Sequence, residues 1–443
     1  MNREALLAEL QALTSAQRAS AAPAHLDQHS QDQSSHAAHQ PDAVVWPETT
    51  AEVSRIAALA NRQRISITAW GAGSSLEGNS IPAHGGIVMD FTRMNRVLAL
   101  HAEDFQVVVQ PGIFYKDMNK VLAKSGLFFA PDPGANASIG GMVANNAAGT
   151  RTVKYGATRD NVLALELVLA DGQILRTGCR STKQSAGYDL TRLLVGSEGT
   201  LALVTEATLR LAPLPEHFSA VVAAFPTTAA AAQAVFAIMS SGLNPAALEL
   251  LDTATVIAIN NADALGLDAS PTLFVEFHAA SEATLAAELG MVEDICRELQ
   301  CSSFQSGVGR TARDRLWAAR HGLGELFKRI HPGQSYLITD VSVPISQYAA
   351  LVAEGTAILA QLEGVNGYLF GHAGDLVLGT TLDIAESDYG AQNIPNETST
   401  GSVDEKTNSL DIEQDDEEPV QRELYEYLGW ILEWTVGAQS EAL

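Results

Sequence analysis

The chain has 443 residues, 46% hydrophobic and 18% charged, a length and balance that suit two or three folded domains and exclude a fibrous or wholly disordered protein. Its 27 Lys and Arg stand against 52 Asp and Glu, a formal charge of −25 with no basic stripe, which argues against nucleic acid and anionic membrane surfaces as partners. Three cysteines, Cys179, Cys296 and Cys301, form no CxxC pair and read as reduced thiols of a cytoplasmic protein.

The N-terminal MNREALLAELQALTSAQRAS carries Leu6, Leu7, Leu10 and Leu13 at helical spacing, which predicts a short amphipathic helix; it lacks the basic start, apolar core and cleavage site of a signal peptide. Residues 21–42 are rich in Ala, His, Gln, Ser and Asp. Their histidines, His25, His29, His36 and His39, are spaced by four, seven and three, which fits no metal-ligand pattern well and favours a polar surface loop. From Ala43 strands and helices alternate: AVVWP is a strand, Thr50–Arg62 a helix opened by Thr49 or Thr50, and ISITAW the next strand. GGIVMDF, VVVQPG, LALELVLADG and TLALVTEATLRL add strands, with a helix over Lys116–Ser125. LAPLPE, with two prolines, marks a domain boundary.

Beyond it runs an uncharged stretch, Phe218–Leu248. Pro226, Thr227 and Thr228 divide it into a strand and a Thr-capped helix, so no transmembrane segment is expected. ALELLD, TLFVEFHA and a helix over Ser281–Gln300 continue this second unit. Residues 375–443 hold 17 Asp and Glu against Lys406 and Arg422, a local charge of −15. This tail is expected not to pack through Glu418, with a terminal amphipathic helix over Gln421–Thr435.

Three glycine-rich turns carry the chemistry. In ISITAWGAGSSLEGN a strand runs into Gly71, Gly73 and Gly78, where small residues let backbone N–H groups approach a phosphate. A dinucleotide fingerprint would need glycine where Leu76 stands, and taken alone this motif is as compatible with a plain glycine-rich turn. PDPGANASIGGMVANNAAGT, residues 131–150, and GSEGT within residues 188–211 are the second and third. Together they point to one long phosphate-bearing ligand lying across a surface. Farther on, Arg320 in RLWAARH suits a carboxylate because a guanidinium is always charged and can hold both oxygens; alone, an Arg on a helix is usually solvated or in an ion pair. His372 in GHAGD follows the apolar strand NGYLF.

With PDAVVWPETTAEV, YGATRDNVLALELVLADG, RLWAARHGLGELF and TDVSVPISQ, these segments resemble the vanillyl-alcohol-oxidase-type FAD proteins, and within them the cytochrome-linked D-lactate dehydrogenases, from about Asp42 to Asp375. The resemblance implies an α+β fold. A PCMH-type FAD-binding domain of two subdomains would span 42–215, and a ferredoxin-like α+β substrate or cap domain, incomplete at its C-terminus, 216–375. A helix and polar loop would precede them over 1–41, and a divergent acidic tail would follow over 376–443.

On the family pattern Gly71, Ala72, Gly73, Ser74 and Ser75, with Gly78 and Asn79, would cradle the FAD pyrophosphate. Pro131, Ser138, Gly140, Gly141, Asn145 and Gly149 would line the flavin and ribityl chain, and Glu198, Gly199 and Val204 would sit beside the ring. Arg320 would bind the substrate carboxylate. His372 resembles the first histidine of an HxGDGNxH motif in which two histidines and a later glutamate hold a divalent metal, zinc or manganese. This chain departs from the pattern at Leu376, Val377 and Gly379, and the later GEHGIG segment is missing, which leaves His372 as an incomplete metal site.

The implied reaction is FAD-dependent oxidation of a D-2-hydroxy acid, foremost D-lactate to pyruvate, with electrons passed to a quinone or cytochrome. That acceptor admits a place at the periphery of the inner membrane besides the cytoplasm. A dehydrogenase of D-2-hydroxyglutarate or glycolate, and a catalytically impaired flavin-binding relative, are the alternatives.

Overall fold

The computed structural model describes residues 2–385 apart from 308–309 and 363–364. The expected terminal helix over Gln421–Thr435 lies outside the described residues. Two compact units emerge, Met1–Phe218 with His278–Glu282, and Ser219–Phe277 with Ala283 onward.

The first unit holds two larger sheets and a two-stranded one, Leu127–Phe128 with Ala212–Pro213. In one, the order is Ala19–Ser20, Ala43–Val45, Ile87–Asp90 and Ile67–Trp70, the last three strands parallel. Helices Arg3–Leu13 and Thr50–Gln63 cover it, burying Leu6, Leu10, Val53 and Ile56 against Ile87 and Met89. Thr49 caps the second helix by accepting from Glu52 N at 3.3 Å, and Arg64 ends it in the left-handed region at φ 54°. Glu52 turns back to Arg18, whose guanidinium donates to both carboxylate oxygens at 2.7 Å. The segment read as a polar surface loop instead begins with a helix, Pro23–Gln28, and buries His29, Ser30 and Asp32.

The other sheet has five antiparallel strands in the order Val97–His101, Gln106–Val109, Leu203–Arg210, Val162–Val168 and Ile174–Gly178. Helices Tyr115–Leu122 and Ile139–Ala144 bury Met118, Leu122, Ile139 and Met142 in its core.

The second unit is built on one seven-stranded sheet. Its order is Ser303–Ser306, His217–Ala224, Thr272–Ala279, Ala247–Leu251, Asn366–Gly371, Val377–Ala385 and Gln334–Ser342. The alternation of each strand feeds two cores. Leu248, Leu250, Val275 and Phe277 meet helices Thr228–Ser240 and Tyr348–Leu359. Ala247, Leu251, Phe274 and Tyr368 meet helices Thr253–Asp263, Arg310–His321 and Leu323–Ile330. The uncharged stretch from Phe218 divides as its sequence predicts, with Thr227 accepting from Ala230 N at 3.1 Å to cap its helix.

A second expectation is corrected. Residues 377–385, read as the start of a tail that does not pack, form a strand between Asn366–Gly371 and Gln334–Ser342, paired with the latter over nine residues. LVLGTTL supplies the apolar and β-branched residues that fit a buried sheet, and the acidic run begins only after it.

Candidate active site: a main-chain cradle and a buried Arg–Glu–His cluster

In the first unit the glycine-rich turns converge on one cavity of about 560 Å³. Gly71, Ala72, Gly73, Ser74, Ser75 and Asn79 line it from the first turn, and Ser138, Gly140, Gly141 and Asn145 from the second. Glu198, Gly199 and Val204 line it from the third. Gly78, Pro131 and Gly149 are not among the lining residues; Gly78 backs onto His36 and Gly149 onto Asp132. Sequence reasoning missed Trp70, Phe91, Pro111 and Leu203, apolar residues at strand ends and turns that wall the cavity.

Close backbone approach shapes the cavity walls. Ser138 Oγ accepts from Gly141 N at 3.3 Å, opening the helix Ile139–Ala144. A Cβ on Gly140 would lie 2.7 Å from Pro111 Cβ, and one on Gly71 would collide with Ser138 Oγ. Gly196 N donates to Val143 O at 2.9 Å and Glu198 N to Ala144 O at 3.0 Å, joining the third turn to the second. Asn79 Nδ2 donates to Asn145 Oδ1, joining the first to the second. Among the described residues the only charged side chains in the lining are Glu77 and Glu198. A diphosphate here would therefore be held by N–H groups and hydroxyls rather than by Lys or Arg, and the donor-rich walls, with glycine at 71, 73, 140, 141 and 199, fit FAD.

In the second unit, Glu249 sits in ALELL on the same face as Ala247 and Leu251, wholly buried. Arg320 Nε and Nη2 each lie 2.7 Å from its Oε2, and His372 Nδ1 lies 2.8 Å from its Oε1. The Arg320 guanidinium also stacks 5.0 Å from the Phe370 ring centre. Burial alone would raise the Glu249 carboxyl, but the charges and hydrogen bonds of Arg320 and His372 hold its pKa below the ordinary value. For His372, burial works to lower the pKa and the Glu249 carboxylate outweighs it, so the imidazole binds its proton more tightly than usual.

A parallel pair stands seven residues earlier on the same helix, where Arg313 donates to Glu276 at 2.7 and 2.8 Å. Seven residues is two helical turns, so both arginines share one face and dock the helix on the sheet through buried glutamates.

Phe370, Gly379 and Asp340 lie side by side across three strands. A Cβ on Gly379 would come 2.7 Å from Asp340 Oδ1, so the position where the family pattern has its second histidine has no room for a side chain unless Asp340 shifts. Desolvation by the surrounding protein raises the Asp340 pKa against the opposing charges of His372 and Arg320. Among the described residues no three His, Cys, Asp or Glu side chains gather as a metal site. The described residues do not gather a divalent-metal site, and no step below passes through one.

A glycine-rich cradle of this kind, built on two small sheets and their helices, in a chain that also carries a separate sheet-and-helix unit, defines an FAD-linked oxidoreductase. Residues 41–178 match the FAD binding domain family model, and residues 214–398 match the C-terminal domain of FAD linked oxidases. The chain belongs to this FAD-linked oxidase family. It is 39% identical over 375 residues to a probable mitochondrial D-lactate dehydrogenase of Danio rerio, covering 84% of this chain and 75% of that protein. It is 40% identical over 335 residues to the mitochondrial cytochrome D-lactate dehydrogenase of Arabidopsis thaliana, covering 76% of this chain but 59% of that protein. A glycolate oxidase subunit of Bacillus subtilis is 38% identical over 339 residues, covering 76% of this chain and 71% of that protein. The fold is shared with 4-ethylphenol oxidase from Gulosibacter chungangensis, at TM-score 0.72 and 18% identity, covering 86% of this chain and 82% of the other.

Proposed function

We propose that the chain oxidises a D-2-hydroxy acid, foremost D-lactate to pyruvate, and passes the electrons to a quinone or cytochrome. FAD, when bound, supplies the hydride acceptor at flavin N5. The observation that carries the substrate class is the buried Arg320–Glu249–His372 cluster, which sets a permanently charged guanidinium beside an imidazole of fixed orientation. Glu249 occupies Nε and Nη2 of Arg320, so the other edge of the guanidinium would take the substrate carboxylate. With Nδ1 turned to Glu249, His372 has Nε2 to accept the proton of the substrate hydroxyl. The names of the relatives support the same substrate class.

Among the described residues no helix is long and apolar enough to cross a membrane. Cytoplasm, or the periphery of the inner membrane where such acceptors reside, is the proposed location.

The glycolate oxidase relative favours a second reading, in which the acid is glycolate; D-2-hydroxyglutarate is a further candidate. The glycine at 379, where the family pattern has its second histidine, favours a third, a flavin protein with impaired turnover. Anaerobic addition of each acid to the yellow protein separates them. Bleaching by D-lactate supports the first reading, preferential bleaching by glycolate the second, and flavin that stays oxidised with every acid the third. Arg320→Lys is expected to raise KM for D-lactate about tenfold or more, because an ammonium cannot bridge both oxygens; an unchanged KM would overturn the assignment of Arg320.

A further inference from the structure

The first glycine-rich turn is held from outside by the N-terminal segment. Asp32, 9% exposed, accepts from Ser80 Oγ at 3.0 Å through Oδ2, and from Ser34 N at 2.9 Å and the Ser34 hydroxyl through Oδ1. Next to it Gln33 N donates to Ser75 O at 3.0 Å. His36 lies against Gly78, its Cδ2 2.5 Å from where a Cβ would stand. Deeper in, His29 sits 3.0 Å from Asp90 and its ring 4.9 Å from that of Trp70, whose indole fills the space a Gly73 side chain would need. Ser75, Ser80, Gly73 and Trp70 all line the cavity; Asp32 and His36 do not.

A carboxylate beside an anion-binding turn is unfavourable unless donors take up its charge, and Ser34 and Ser80 do so here. Asp32 therefore touches the cofactor only through the turn. With its proton directed at Asp32, Ser80 is fixed in one rotamer, and the stretch from Ser75 to Ser80 is tied at both ends to residues 32–33. A glycine-rich turn left free would have to give up its backbone freedom on binding, and prior ordering removes that cost.

We infer that Asp32 is a positioning residue for FAD: it clamps the first glycine-rich turn through Ser80 and makes the N-terminal segment a working part of the cofactor site. The test measures FAD affinity on the full chain, stripped of flavin and retitrated by equilibrium dialysis. Asp32→Ala weakens FAD binding about tenfold or more, as expected for a lost hydrogen bond to a charged group. Ser80→Ala weakens it in the same direction, and the double variant is no weaker than the worse single, because one bond is removed twice. Asp32→Asn, which retains an acceptor for Ser80, stays within about threefold of wild type.

Asp42→Ala is the control. Asp42 Oδ2 accepts from Gly86 N at 3.0 Å and pairs with Arg3 at 3.5 Å, tying down the same segment away from the turn. FAD affinity is expected to be unchanged in this variant. Should Asp32→Ala lose its far-UV circular dichroism, Ser80→Ala and Asp32→Asn carry the test. Wild-type affinity in Ser80→Ala, or equal weakening by Asp42→Ala, would overturn the inference.

Discussion

Replacing Glu249 with alanine would strand two partners at once. Arg320, 8% exposed, would lose its counter-charge, and His372 would lose the acceptor at Nδ1. Breaking a buried ion pair from one side costs about 3–5 kcal/mol, because the remaining charge stays out of water without compensation. Removing both charges should behave differently. Glu249→Leu with Arg320→Met fills similar volume without leaving a charge, and is expected to recover stability to within about 1–2 kcal/mol of wild type. The parallel pair offers a comparison: Glu276→Ala removes the buried partner of Arg313, which keeps Asp314 at 2.8 Å, without touching His372. Urea denaturation followed by far-UV circular dichroism reads the stability, and anaerobic bleaching by D-lactate reads the function. Glu249→Ala should fall in both and Glu276→Ala in stability alone, whereas the Leu/Met pair should be stable and fail to bleach. A Leu/Met protein bleached at the wild-type rate would refute the role given to Arg320. A loss below about 1 kcal/mol in Glu249→Ala would refute the buried-pair argument itself.

Gly140→Val should yield a folded but colourless protein, since even its Cβ must displace Pro111 at 2.7 Å; flavin retained through gel filtration would contradict that placement. The Glu52 carboxyl has a pKa below the ordinary value, burial being outweighed by the Arg18 hydrogen bonds. Its contribution is thus full above the ordinary carboxylate range and lost as pH falls through the lowered pKa, so the stability gap between wild type and Glu52→Gln should shrink on acidification. Burial pushes the Cys296 thiol up to about 12, so iodoacetamide at neutral pH should label Cys179 well before Cys296; equal rates by mass spectrometry would show that helix Glu282–Glu298 opens readily.

The cradle was legible because its chemistry is local. Gly71 to Asn79, Ser138 to Asn145 and Glu198 to Gly199 each announce a donor-rich turn within a few residues, and each reaches the cavity. The cluster around Glu249 was not, since its partners stand 71 and 123 residues away. One signal was available: in ALELL the glutamate shares a face with Ala247 and Leu251, and a carboxylate on a buried face requires a partner. The N-terminal segment misled through composition. Its polar residues read as solvated, whereas Asp32 and His29 are buried because Ser80 and Asp90 satisfy them across the fold. The strand Val377–Ala385 was overshadowed by the acidic run that follows it.

The absence of any Lys or Arg from the cavity lining among the described residues bears on how such a protein can diverge. Main-chain N–H groups are common to every residue but proline, so a cofactor gripped by them asks only that a few positions stay small and that the turns keep their course. Elsewhere side chains are at liberty to drift, and the same architecture persists in a phenol oxidase of 18% identity. On the proposed reading substrate preference rests on charged side chains in the second unit, which have no such protection. Specificity should therefore turn over faster than colour in this lineage, and flavin retention is the property a heavily substituted variant would lose last.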